Sequence, residues 1–475
     1  NFSPHSNSLN KRNDVKVYNL TITKKKLAPD GFTREMYAIN DLFPGPLIEV
    51  NKGDTLRLNV YNDLEEKTAI HSHGMFQRGT PWYDGFSGQS QCDIQSKKSF
   101  TYEFQVNQSG TYWYHSHSKA QYIEGIIGAL IAHDPDDPYL KEYDEEIVVL
   151  IQDWHHNDAK TLLAQFLSPE SNGNEPTPDN GLINGMNSYN CSGAPNGSDC
   201  VKVEGMMTQR YTIHRLPINV AQRYSVIVSA DKPIGKYWMR SEMETACFAT
   251  QSDTLNPLVK AIVEYEGSDG NDNPNSSAWT DSQATCIDLD TSNLKPYEVQ
   301  TIPDADYKVT LNVTFQPDDK NVTRGYINNS TYVLDSKFPT LLKVYKDITT
   351  FKPNQNVYTI DKDKVVDIIL NNFDTGNHPF HLHGHVFWVL GIGINGTSPD
   401  YNSVNTKDPI QRDTVTVPAG GWHIVRFVSN NPGVWSFHCH MEWHVQSGLV
   451  MQFVTQPDQI KELKPPDDWF NLCKS

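Results

Sequence analysis

Long apolar runs are missing from this 475-residue chain. No stretch reaches the roughly 18 consecutive apolar residues that a membrane-spanning helix needs, which excludes a helical span within it. Positive charge is also short, with 40 Lys and Arg against 57 Asp and Glu, a formal net charge of −17. A surface of that sign repels nucleic acid and anionic lipid, so both are set aside as partners. Charged residues at helical spacing are scarce, while Gly, Pro, Asn, Tyr and Trp are plentiful, which fits an all-β protein. Cysteine is sparse and odd in number, seven in all, so complete pairing leaves one over.

What is present is strand alternation. Within 54–61, Leu56, Leu58 and Val60 fall on one face, and segments 99–107, 110–117 and 128–133 repeat the pattern with turns between. Strands at this spacing predict Greek-key β-sandwiches. A chain this long exceeds one core. The Pro/Asp-rich joint at 134–139 marks a boundary, and 145–154 opens a second run of strands. The stretch from 304 echoes the start: 365–371 precedes a His-rich segment as 55–62 does, and NPGVWSFH (431–438) mirrors QSGTYWYH (108–115). This internal repeat predicts duplicated sandwiches meeting face to face. The expected division is 1–138, 139–303 and 304–475.

The segment 435–449, WSFHCHMEWHVQSGL, concentrates the chemistry. On a strand, Cys439 faces one way and its neighbours His438 and His440 the other. A thiolate with two imidazoles is the ligand set of a blue-copper centre, and His444 follows five residues later. The flanking histidines would serve a second site behind the same strand. Alone, the segment reads equally well as a buried thiol in a His-rich strand. Three further segments decide it: His71-Ser-His73-Gly, His115-Ser-His117, and His378-Pro-Phe-His381-Leu-His383-Gly-His385.

HxH, HxH, HPxHLH and HCHxxxH in this order resemble the four copper-binding motifs of multicopper oxidases. The words GMFQRGTPWYDG (74–85), GTYWYHSH (110–117) and AQRYSVIV (221–228) are similar to those of fungal laccases and the related ferroxidases. The resemblance implies three cupredoxin-like Greek-key domains and four copper ions. It implies a type 1 copper held by His378, Cys439 and His444, with Leu449 in the axial position. It assigns His71 and His381 to the type 2 copper. For the type 3 pair it assigns His73, His115 and His440 to one ion, and His117, His383 and His438 to the other. Asp84 in PWYDG and Glu442 in HCHMEWH match family carboxylates near the cluster, and are expected to supply protons for oxygen reduction. Asp84 also reads as a plain turn residue. For His5, His133, His155, His156, His214, His385 and His423, packing or surface roles are expected.

The implied activity is one-electron oxidation of phenols or aromatic amines at the edge of His444, coupled to reduction of O2 to water. A ferroxidase is the alternative, with Asp400 and Asp408 as candidate carboxylates for Fe(II). A non-catalytic copper carrier is the third reading, and ten histidines are more than a carrier needs. Residue 1 is Asn rather than Met, and N-x-S/T triplets stand at Asn1, Asn19, Asn107, Asn190, Asn196, Asn275, Asn312, Asn321, Asn328, Asn329 and Asn395. A secreted, N-glycosylated monomer is expected. With Cys439 on copper, six cysteines can pair. In fungal laccases the cysteines matching Cys92 and Cys473 bridge the first and last domains. Cys191 with Cys200, and Cys247 with Cys286, are the simplest completion. After Cys200 the chain lacks a few dozen residues that fungal laccases carry, including the carboxylate that contacts phenols; an omitted stretch is expected there.

Overall fold

The structure is a computed structural model describing residues 14–187, 215–250, 252, 255–268, 273–274, 276–278, 286, 288–296, 301–394 and 396–474. The chain is mostly β. In the first segment, Arg34–Ile39, Val15–Leu27, Thr55–Asn62 and Lys98–Gln105 form one four-stranded sheet in that order. Ile48–Asn51, Ile127–His133, Gly110–Ser116 and Ile70–His73 form the other. Leu56, Leu58 and Val60 are fully buried between the sheets, as their alternation predicts. Each such side chain contributes about 1.5–3 kcal/mol by leaving water.

The last segment repeats this plan at larger size, with a six-stranded and a five-stranded sheet. Val15–Leu27 runs parallel to Thr55–Asn62, and Tyr307–Pro317 runs parallel to Val365–Asn372. Ile70–His73 pairs antiparallel with Gly110–Ser116, and His378–Leu382 likewise with Gly433–Cys439. The internal repeat in the sequence is therefore a repeat of topology, and the His-bearing strands occupy corresponding positions. The architecture is the cupredoxin-like β-sandwich.

The middle segment holds two antiparallel pairs, Ile151–Trp154 with Asn180–Ile183 and Lys236–Glu242 with Leu258–Glu264. The run expected to open at 145 becomes strand only at Ile151. Just before it, the Asn184 side chain accepts from the Leu150 amide (2.7 Å), taking the place of a ladder bond. Helix Ala159–Phe166 begins at Asp158, whose carboxylate accepts from the Thr161 amide (2.9 Å). Its Leu162 and Phe166 pack on Trp443, the residue before His444. The disulfide Cys92–Cys473 joins the first and last segments, and Cys247–Cys286 closes within the middle one. Cys191, Cys200 and the break that follows lie outside the described residues. Among the described residues no helix is long and apolar enough to cross a membrane.

Candidate metal centres

Strand register creates two sites on two faces of one sheet. Phe380 stands opposite Cys439 and His381 opposite His438. Alternation therefore puts His378 on the Cys439 side, and His381 with His438 on the other. Beyond Cys439 the chain enters helix Glu442–Ser447, which carries His444 back to the thiol. Cys439 Sγ lies 3.3 Å from His444 Nδ1 and 3.9 Å from His378 Nδ1, and the two Nδ1 atoms are 3.1 Å apart. All three residues are buried and can hold one metal ion. Burial pushes the Cys439 thiol up, but His444 and His378 outweigh it and bring it down to about 7. Leu449 is buried in the same apolar cluster, and its carbonyl accepts from the Cys439 amide (3.2 Å).

The outer nitrogens of this pair are held by carboxylates. His378 Nε2 donates to Asp374 Oδ2 (3.1 Å), and His444 Nε2 donates to Glu175 Oε1. Burial pulls His444 down, but Glu175 and Cys439 reverse it and raise the ring to about 10. Asp374 and Glu175 are each 25% exposed, so solutes reach this edge from water.

Behind the sheet, eight histidines from both sandwiches converge. Three groups could each hold an ion: His71, His73 and His381; His73, His115 and His440; and His117, His383 and His438. Five of the eight follow one rule of orientation. His71 Nδ1 donates to the Asp84 carbonyl (2.5 Å), His115 Nδ1 to the Ser116 carbonyl (2.9 Å), and His381 Nδ1 to the Asp413 carbonyl (2.9 Å). His438 Nδ1 donates to the Cys439 carbonyl (2.9 Å) and His383 Nδ1 to the Asp84 carboxylate (3.0 Å). One ring nitrogen is thus fixed by protein oxygen while the other is left for a metal. Among the described residues, His71, His115, His117 and His381 have buried Nε2 atoms with no hydrogen-bond partner. An unmet buried acceptor costs about 1–3 kcal/mol, and a metal cation removes that cost. Burial, followed by repulsion from neighbouring rings, lowers His71 to about 3, and burial first also brings His383 and His438 to about 3. Neutral imidazole is the form that ligates. The donor sets fit copper at both sites.

Asp84 is buried beside this cluster, and burial raises its carboxyl to about 6. Glu442 is buried too, and burial pushes it well above the usual range, but its carboxylate accepts from Gln446 Nε2 (2.6 Å) rather than from a cluster histidine. Asp400 and Asp408 are engaged elsewhere, with Asn402 (2.9 Å) and Lys295 (2.8 Å). Sequence reasoning missed Glu175, Asp374 and Asp413. Glu175 lies upstream of Cys200; the position after Cys200, where the carboxylate that contacts phenols was expected, lies outside the described residues. Asp374 sits four residues before His378, and that spacing was a usable signal. Nothing periodic ties Glu175 or Asp413 to a histidine.

The chain matches family models described as multicopper oxidase over residues 21–137, 145–200 with 199–268, and 311–459. It is 35% identical to the iron transport multicopper oxidase fetC of Epichloe festucae, over 96% of this chain and 79% of that protein. It is 32% identical to laccase-1 of Cryptococcus neoformans var. grubii, over 97% and 83%. The first of these alignments spans 506 positions, more than this chain has residues, so that relative carries positions missing here. The fold is similar to that of the laccase from Botrytis aclada, with a TM-score of 0.87 at 29% identity, over 98% of this chain and 92% of that one.

Proposed function

The chain belongs to the multicopper oxidase family, and from that premise we propose that it oxidises Fe(II) at the edge of His444 and passes the electrons to O2. The family makes it a copper-dependent oxidoreductase that uses O2 and four coppers. When bound, copper supplies the one-electron redox couple beside Cys439 and the oxygen-reducing centre among the eight histidines. In this reading His378, Cys439 and His444 would hold type 1, next to the buried Leu449. His71 and His381 hold type 2; His73, His115 and His440, and His117, His383 and His438, hold the type 3 pair. The division at 138 and 303, secretion, glycosylation and a monomer belong to the same proposal.

The observation that carries the choice of reductant is the pair Glu175 and Asp374. Each carboxylate bonds the outer nitrogen of a type 1 histidine, and each remains partly open to solvent. Two such charges attract a divalent cation and stabilise its trivalent product more. Four Fe(II) release four electrons, and O2 with four protons takes them to give two waters. Cys439 is joined to His438 and His440 by single peptide links, so the path between the sites stays within three residues. Asp84, hydrogen-bonded to His383, is the proposed proton source; Glu442 is the second candidate. A phenol or aromatic amine is the other reductant, since Glu175 alone can accept a hydroxyl proton at the His444 edge.

Turnover of Fe(II) and of a phenol on one copper-loaded preparation tests this. Asp374→Ala should raise KM for Fe(II) about tenfold or more, the scale of roughly 1.4 kcal/mol, and change the phenol far less, since Glu175 alone takes the phenol proton. Equal effects on both, or a phenol turned over well ahead of Fe(II), transfers the assignment to phenol oxidation. Metal analysis that finds one copper per chain removes the oxidase reading altogether.

A further inference from the structure

Arg223 belongs to the middle segment, yet its guanidinium reaches the seam between the two His-bearing sandwiches. Nη1 and Nη2 donate to Asp413 Oδ1 and Oδ2 (2.7 and 2.6 Å), and Nε donates to the Thr111 carbonyl (3.0 Å). Nη1 also donates to the Ala221 carbonyl (2.9 Å). The contacts to Asp413 and Thr111, with a third to the backbone at Gly74, lead to three strands of the cluster. Asp413 precedes Thr414, the register partner of His381, and the Asp413 carbonyl accepts from His381 Nδ1. Asp413 Oδ1 also accepts from Thr414 Oγ1 (2.9 Å) and lies 3.7 Å from His381 Nδ1 and 3.9 Å from His73 Nε2. Thr111 lies on the strand of His115, whose Trp113 pairs with His73.

The third contact is steric. Gly74 follows His73 with φ +85°, and a Cβ there would lie 2.8 Å from Arg223 Nη2 and 3.0 Å from Asp413 Oδ2. The ion pair is thus pressed against the backbone that carries His73. A bidentate guanidinium–carboxylate fork fixes orientation as well as charge, which a point charge on a flexible stem does not.

We propose that Arg223 is a positioning residue for the type 2 copper site, acting through Asp413 to fix the ring of His381 and the strand end at His73. This rests on the reading of His71 and His381 as that ion's ligands. The Cys439 site supplies a control: it lies on the other face of the sheet, and among the described residues no hydrogen bond or ion pair joins it to Arg223 or Asp413. A cavity of about 360 Å³ borders the pair, so a shorter side chain at 223 is accommodated without a clash.

The test uses copper-loaded wild type, Arg223→Lys, Arg223→Gln, Asp413→Asn and the double variant Arg223→Gln/Asp413→Asn. Copper per chain, the blue band, the type 2 paramagnetic resonance spectrum and the rate of copper loss to a chelator are measured, with thermal unfolding as the check on folding. Loss of outer support to a metal-bound histidine weakens metal binding about 10–100-fold. Each Arg223 variant should therefore lose type 2 copper about tenfold faster or more and show an altered type 2 spectrum, with the blue band intact. Lysine should rescue little, because it cannot form the fork. In the Asp413→Asn background, Arg223→Gln should add less than twofold, since both act along one path. Wild-type loss rates and spectrum in a folded Arg223→Gln, or full additivity in the double variant, overturns the inference. If both Arg223 variants fail to fold, Asp413→Asn decides: it must speed type 2 loss with the blue band kept, and a wild-type rate overturns the proposal. Wild type that itself shows no type 2 signal refutes the ligand assignment instead, a separate outcome.

Discussion

At the scale of single residues, Asp84 hydrogen-bonds two histidines of the cluster. Its carbonyl fixes His71 and its carboxylate fixes His383, rings on opposite sides of the seam between sandwiches. It is 1% exposed, so a proton it donates has to be relayed to it rather than taken up at the protein surface. Asp84→Asn keeps the size and the backbone bond to His71 but removes the exchangeable proton. The blue band should persist, because Asp84 touches neither Cys439 nor its ligand partners, and copper content should persist because the asparagine oxygen still accepts from His383 Nδ1. Turnover with O2 should fall by about two to four powers of ten, the usual worth of a general acid. Wild-type turnover at full copper would leave Asp84 a purely orienting residue and move the proton role to Glu442, whose burial and raised acidity constant keep it available.

At the scale of elements, the strand Ile70–His73 delivers two histidines with four residues, and the loop behind it must come very close. Gly85 makes that approach. Its φ is +85°, and a Cβ there would stand 1.9 Å from the Ile70 carbonyl oxygen and 2.8 Å from the His71 amide nitrogen. Gly85→Ala therefore meets backbone that cannot rotate away, in a conformation strained for any side chain. We expect a loss of about 3 kcal/mol or more in denaturant unfolding, together with reduced copper binding. Unchanged stability and copper content would mean that the loop shifts freely. The legible part of this protein was of the same kind as this strand. Ligation needs particular residue types at alternate positions, and that requirement writes HxH and HCH into the sequence. Leu56, Leu58 and Val60 were legible for the same reason, because a sandwich core demands period two. Glu175 and Asp413 were not, because a loop residue placed by tertiary contact leaves no period. Nor was the late start of strand Ile151–Trp154, where a side chain of Asn184 replaces a ladder bond that no local rule foretells.

At the scale of the whole molecule, buried charge helps bind the middle segment to its neighbours. Arg223 reaches Thr111 and Asp413, and Arg34 pairs with Glu124 (2.5 Å), whose second oxygen accepts from the Ala159 amide (2.6 Å). Asp30 is the clearest case. It is 0% exposed, belongs to the first segment, and accepts from His156 Nε2 (2.7 Å) and Asn180 Nδ2 (3.0 Å) of the second. Burial pushes its carboxyl up, but these two bonds and the Phe32 amide outweigh burial and hold it below its ordinary value. An unfolded Asp titrates near pH ~3.9. A group whose folded constant lies lower stabilises the fold fully above that pH, and the contribution is lost as pH falls through the folded value. Stability at neutral pH should therefore include this contact, and acid below about pH 4 should loosen the first two segments from each other. Asp30→Asn should cost about 1–3 kcal/mol at pH 7, the worth of a buried polar group left poorly matched. Its urea midpoint should also fall less steeply between about pH 4 and 2 than that of wild type, since the titrating carboxyl is gone. Parallel pH curves for the two proteins would show that Asp30 keeps its ordinary acidity in the fold, and that the first two segments are held by apolar packing of Met36, Trp154 and Leu182 instead.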